Sequence, residues 1–389
     1  MRSSDGVKKE VVYLDHHSTT PCHPRVVARM LPYFSEIFGN PAAITHVVGR
    51  RAGSALEEAR VSIADFLGVR PGEVYFTAGA TEANNIVVSS FGKPGAHLIT
   101  TAIEHKSVLA PFREMESRGT KVTVLQPDSE GFVSADQLRG AIRPETALIS
   151  VIAASGDIGT IQPLDELAAV AHEHRIAFHS DATQAIGKIP MGPELHGCDL
   201  LGFSAHKFYG PKGIGCLVVK RGTRIAPLIR GGGQEKNLRS GTVNVPGVIG
   251  MAEALEVRRE VMTGEFDRLT KLRNRFWDAL ITEIEGAVIN GPRASRLPGN
   301  LNVSFGALDA EALIYSLRNF ALSTGSACSS GEREPSSVLK AIGCDDVRAM
   351  SSIRFGLGDS TTVENIDLLV SDIKRAVAAA RELTAPGPR

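Results

Sequence analysis

Residues 51–85 read RAGSALEEARVSIADFLGVRPGEVYFTAGATEANN, and their pattern decides the fold class. Ala55, Leu56, Ala59, Ile63 and Phe66 recur at the spacing of one helical face, which predicts an amphipathic helix. EVYFTAG (73–79) then reads as a short buried strand that breaks on glycine, and a second helical pattern starts at once. Further short apolar runs follow up to about residue 220: HLITT, KVTVLQP, ALISVIAA, IAFHSDA and CLVVK, most of them separated by helical segments such as PLDELAAVAHEH. Alternation of this kind implies a largely parallel sheet covered by helices, with ligands beyond the carboxyl ends of its strands. A long helical stretch from about 246 to 285 leads into a smaller α+β domain that carries GNLNVSF and SSIRFGLG. The expected division is a large domain over 16–264 and a small one formed by 1–15 with 265–389.

The chain has 389 residues, 43% hydrophobic and 22% charged, and zero formal net charge, so no overall pull toward nucleic acid or anionic lipid is expected. Its ligands are expected to be small molecules. Five cysteines without a CxxC pair argue against a disulfide framework or a zinc site, and place the chain in a reducing cytoplasm. No apolar run approaches the roughly 20 residues that span a bilayer. The histidines of DHHSTTPCHP and AHEHR are not read as a metal site.

Chemistry concentrates at the strand ends. In TAGATEANN (77–85), Gly79, Ala80 and Thr81 form a strand-to-helix turn whose free amides suit a phosphate. The nucleotide motifs fail: Ala182 and Val87 stand where a P-loop before Gly187-Lys188 or Gly92-Lys93 needs its first glycine. Asp181 closes the strand in FHSDATQAIG (178–187), and Lys207 follows another strand in SAHKFYGPKGIG (204–215). A buried carboxylate that keeps a pyridine nitrogen protonated, with a lysine that forms a Schiff base, is the protein's half of pyridoxal phosphate chemistry.

On these residues the chain resembles the class V aminotransferases, and among them the cysteine desulfurases of the NifS and IscS type. The match includes YLDHHSTTP, FGNPAAITHVVGR, FTAGATEANN, IEHKSVL, HSDATQAIGKIP, SAHKFYGPKGIG, GGGQEKNLRSGT, STGSACSSGEREPSSVL and SSIRFGLG. The resemblance implies the aspartate aminotransferase-like fold (fold type I), with a mainly parallel seven-stranded sheet, and pyridoxal 5'-phosphate as cofactor. It gives Lys207 the Schiff base, Asp181 the pyridinium nitrogen, Gln184 the ring oxygen, and His105 a place stacked on the ring as a proton shuttle. Ala80, Thr81, Ser204 and His206 would hold the phosphate, and Thr242 would reach the phosphate of a neighbouring subunit in a homodimer. Arg354 would grip the substrate carboxylate, with Asp157 beside the substrate. Cys328, among small residues, would be the nucleophile that takes sulfur from L-cysteine and passes it to an acceptor protein. The pathway served, whether iron–sulfur cluster assembly, tRNA thiolation or biosynthesis, stays open.

One segment departs from the family. IAASGDIGTIQP (152–163) has Ser155, Gly156 and Asp157 where Asn-Asn-Glu is usual, so a side chain that helps hold the ring oxygen is missing. One neutral hydrogen bond is worth on the order of 1 kcal/mol, too little to abolish cofactor binding. The expected activity is conversion of L-cysteine to L-alanine with a persulfide on Cys328. The alternatives are a carbon–sulfur lyase or related enzyme on a modified amino acid, and a degenerate partner-binding scaffold.

Overall fold

The computed structural model describes residues 11–191, 197–324 and 334–384. Among the described residues twelve strands form three sheets: β1 (Val12–Tyr13), β2 (Val74–Thr77), β3 (His97–Thr101), β4 (Lys121–Leu125), β5 (Thr146–Ser150), β6 (Ala177–Asp181), β7 (Leu200–Ser204), β8 (Gly215–Val219), β9 (Ala287–Asn290), β10 (Asn300–Phe305), β11 (Phe320–Ala321) and β12 (Ser352–Gly356). The seven-stranded sheet runs β2-β8-β7-β6-β5-β3-β4. Its pairs are parallel except where β8 runs against both β2 and β7. The mainly parallel sheet read from the sequence is therefore present, with one reversed strand.

Local chemistry explains the elements. β3, β7 and β8 are buried along their whole length, as expected of strands covered on both faces. The helix Val47–Leu67 is capped by His46, whose side chain accepts from the Gly49 amide, and it ends on Gly68 in the left-handed conformation. It buries Ala55, Leu56, Ala59 and Ile63, the face read from the spacing, against the first core.

Helix Val245–Glu283 is continuous over 39 residues. Val248, Met251 and Leu255 pack into the core of the large sheet, whereas Leu269, Phe276 and Leu280 pack into a separate core with Val303, Ile353 and Phe355. The boundary we propose, between 264 and 265, falls in the stretch where the helix changes cores. The second core lies under the antiparallel sheet β12-β10-β9. β1 pairs in parallel with β11 through Val12–Phe320, which ties the start of the described chain to its last third.

Candidate active site

Two neighbouring strands present the central pair. Asp181 ends β6 and Ser204 ends β7, with Asp181 in register opposite Gly202. The single 3-10 turn Ala205–Lys207 then carries Lys207 past the sheet. Asp181 is 3% exposed, and both its oxygens accept hydrogen bonds, Oδ2 from Asn84 Nδ2 (2.7 Å) and Oδ1 from the Thr183 amide (3.0 Å). Lys207 Nζ donates to the carbonyls of His17 (2.8 Å) and Ser18 (2.6 Å). Burial, reinforced by the Arg354 charge, pushes its ammonium down to about 8, while Asp181, Asp15 and Asp157 work in the opposite direction. The amine is thus a sheltered, easily deprotonated nucleophile.

Asn84 links the two sides of this centre. Its Nδ2 donates to Asp181 and also to Ser107 Oγ (2.9 Å), and Ser107 Oγ lies 2.8 Å from His105 Nδ1. His105 caps the helix Lys106–Ser117, because its Nδ1 accepts from the Ser107 amide. The proton of a neutral ring is thereby left on Nε2. Glu104, next to it, is fully buried; burial and the Asp181 charge hold its carboxyl well above the usual range.

The anion turn is equally specific. Gly215 starts β8 between Thr77 and Ser204, and a Cβ on it would come within 2.6 Å of the Gly79 Cα. Only glycine lets the turn cross there. The close approach allows the Ala80 amide to reach Ser204 Oγ at 2.7 Å. A cleft of about 600 Å³ opens over this turn, lined by Gly79, Thr81, Ser204, His206, Thr19 and Lys212. His206 Nδ1 lies 3.0 Å from Thr19 Oγ1, and burial with the nearby lysines pushes its imidazolium down to about 4, so it faces the cleft uncharged. Of the phosphate residues expected from sequence, Thr81, Ser204 and His206 line this cleft and Ala80 borders it; Thr242, expected at the phosphate of a neighbouring subunit, is exposed in the single chain.

Gln184 meets Lys188, a residue to which the sequence reading gave no site role once the P-loop was rejected. Lys188 Nζ donates to Gln184 Oε1 (2.6 Å), and burial holds Lys188 far below its ordinary range. Gln184 Nε2 donates to the His17 carbonyl (2.9 Å), and a Cβ on Gly156 would sit 2.7 Å from that nitrogen. The room left by the missing asparagine side chain is occupied by Gln184.

Arg354 on β12 is 7% exposed. Its Nη1 donates to Asp157 Oδ1 (2.8 Å); its Nη2 donates to Asp15 Oδ1 (3.0 Å), Ser18 Oγ (2.7 Å) and Ser323 Oγ (3.0 Å). Asp15, Ser18 and Ser323 were not singled out from sequence, although Asp15 and Ser18 lie within the YLDHHST motif. Cys328 lies outside the described residues. Cys198, Cys216 and Cys344 are buried and Cys22 is half-buried; burial raises the thiols of all four, which keeps them protonated. No group of three or more His, Cys, Asp or Glu side chains is arranged for a metal among the described residues.

The family model described as "Aminotransferase class-V" matches residues 12–369. The chain belongs to this family, among its cysteine desulfurases. The cysteine desulfurase IscS of Dictyoglomus turgidum is 44% identical over 382 residues, covering 97% of each chain. Among solved structures, a NifS-like protein superposes with a TM-score of 0.89 at 36% identity, over 95% of this chain and all of its own. SspA in complex with cysteine gives 0.78 at 35% identity, over 89% of this chain and 98% of its own. Class V enzymes of this kind generally depend on pyridoxal phosphate, and the residues present fit that group: an amine whose ammonium is lowered to about 8, a buried carboxylate at the end of the adjacent strand, and a cleft of amide and hydroxyl donors that includes Ser204, three residues before Lys207. Among the described residues no helix is long and apolar enough to cross a membrane.

Proposed function

We propose that this chain is a pyridoxal-phosphate-dependent cysteine desulfurase that converts L-cysteine to L-alanine and leaves a persulfide on Cys328. The observation that carries the reading is Lys207, an amine sheltered among three carboxylates and one guanidinium with its ammonium lowered to about 8. The bound cofactor would supply an electron sink that weakens the bonds around the α-carbon of the amino acid. Lys207 would hold it covalently, Asp181 would face its ring nitrogen, Gln184 its ring oxygen and His105 its ring face. The Gly79–Thr81 turn, Ser204 and His206 would seat its phosphate.

Each protein group then has one task. Arg354 orients the substrate carboxylate through its planar fork. The freed Lys207 amine takes the α-proton, and His105, fixed by Ser107 and Asn84, is placed to return a proton from Nε2. The Cys328 thiolate attacks the substrate sulfur, so the sulfur–sulfur bond forms as the carbon–sulfur bond breaks. The electron pair stays with carbon and is protonated, and the sum is L-cysteine plus thiol giving L-alanine plus persulfide.

A homodimer follows from the same reading, with Thr242 reaching across to the partner's phosphate. Supporting it are Leu31, Phe34, Phe38, Ile44 and Val47, large apolar side chains that fall within seventeen residues of sequence and are all more than half exposed in the single chain. The sulfur would pass to an acceptor protein in the cytoplasm, where thiols stay reduced. The decisive measurement is product analysis with free cysteine: alanine from the native chain and none from Cys328→Ser. Pyruvate and ammonia in place of alanine would point to a lyase.

A further inference from the structure

Arg354 is read above as the seat of the substrate carboxylate, yet that seat is already taken. Three of its partners are bound in place by the backbone: Asp15 forms a bridge with Gly356, Ser323 forms one with Arg354 itself, and Ser18 donates its amide to the Asp15 carbonyl (2.9 Å) while its own carbonyl accepts from Lys207 Nζ. These three saturate Nη2. Among the described residues Nη1 has one partner, Asp157 Oδ1 at 2.8 Å, and Nε has none. Asp157 differs from Asp15 and Ser323 because it lies in the turn after β5 and in no strand bridge, and from Ser18 because it carries a charge. Its carbonyl is held by Asn302 Nδ2 (3.1 Å) and that of Gly156 by Asn300 Nδ2 (2.9 Å), which anchors the turn while leaving the carboxylate free to rotate. Its side chain is 22% exposed, so it can swing toward water.

We propose that Asp157 is a specificity-determining residue: it occupies the exchangeable half of the Arg354 fork in the resting protein, and a substrate carboxylate binds by displacing it. This rests on the reading of Arg354 as carboxylate seat. A guanidinium already neutralised by two aspartates has little net attraction for another anion, so binding becomes an exchange of one carboxylate for another. Only a ligand that also makes contacts elsewhere, as an α-amino acid does through its amine, completes the exchange. Simple carboxylates are excluded by the same competition. The shorter side chain of Asp157, where the family usually has glutamate, sets the reach of the competitor.

The test uses the full-length chain. Asp157→Asn removes the competing charge and keeps the shape; Asp157→Glu restores the charge. In the holoenzyme, Asp157→Asn is expected to lower KM for L-cysteine roughly tenfold, the scale of one charge-assisted hydrogen bond, with the change in KM exceeding that in kcat, and Asp157→Glu to return KM toward the native value. Propionate, which has neither amine nor thiol, is titrated calorimetrically into the same proteins without cofactor; Asp157→Asn is expected to bind it about tenfold tighter, and Arg354→Ala to abolish the gain. The gain is expected to survive roughly 0.5 M salt, where a long-range field effect is screened. A higher KM and unchanged or weaker propionate binding in Asp157→Asn would overturn the proposal and make Asp157 a support that holds Arg354 in place. Should the native chain make no alanine, the propionate titration still reads the seat, so the two failures are told apart.

Discussion

The proposed cofactor side and the proposed substrate side of this site are built by different means. Asp181, Ser204 and Lys207 come from the ends of two hydrogen-bonded strands, so the sheet itself sets their spacing. Arg354, Asp157 and Asp15 come from three separate stretches, and the contacts that join them span 197 and 339 residues of sequence. The first group is carried by one rigid element. The second meets only where two cores close on one another, and it includes a turn. Rigidity suits the proposed covalent attachment, and adjustability the proposed exchange of substrate.

That contrast is open to direct test. The largest effect is expected at Lys207: Lys207→Ala should lose the protein-bound absorbance of the cofactor and all alanine formation, while the far-ultraviolet circular dichroism is unchanged because the turn keeps its backbone. Retained covalent cofactor in that variant would break the assignment of the rigid side. Next comes the pH dependence of loading. An ordinary lysine at pH 8 is under about one per cent uncharged, whereas Lys207, lowered to about 8, is half uncharged there. Deprotonation gives the nucleophile, so the rate of pyridoxal phosphate uptake by the apoprotein is expected to rise with pH and reach half its maximum near pH 8. A midpoint near that of free lysine would show that the burial does not act on the amine. The smallest effect concerns the adjustable side. Gly156→Asn places side-chain atoms 2.7–3.2 Å from the Gln184 amide and stem, so it is expected to lower stability by about 1–3 kcal/mol in urea unfolding. Combination with Gln184→Ala should recover most of that loss, since the clash is with that side chain; a fully additive pair would sharpen the picture toward a backbone cause.

Much of this was legible from the chain alone. The strands holding Asp181 and Lys207 are short apolar runs, buried on both faces, and such runs announce themselves without tertiary information. Motif spelling then put names to the strand ends. Lys188 was given no site role because nothing in its sequence surroundings shows that it is buried; its partner Gln184 lies four residues earlier, and His17, which shares the Gln184 Oε1, comes from the start of the chain. Asn84 was inside a quoted motif, yet its double donation to Asp181 and Ser107 depends on a helix and a strand packing together. The departure at Gly156 was visible as a missing side chain. That Gln184 fills the gap was not, because occupancy of space is a property of three dimensions.

By itself, the sequence determined the alternation of helix and strand, the residues at the carboxyl ends of the sheet and the membership of the family. These depend on local periodicity and on side-chain chemistry, both of which are written residue by residue. Only the tertiary structure decided which charges share a guanidinium and how far a lysine is dried. Such quantities arise from distance and burial, and the chain acquires them when separate segments are brought within a few ångströms of each other, away from water.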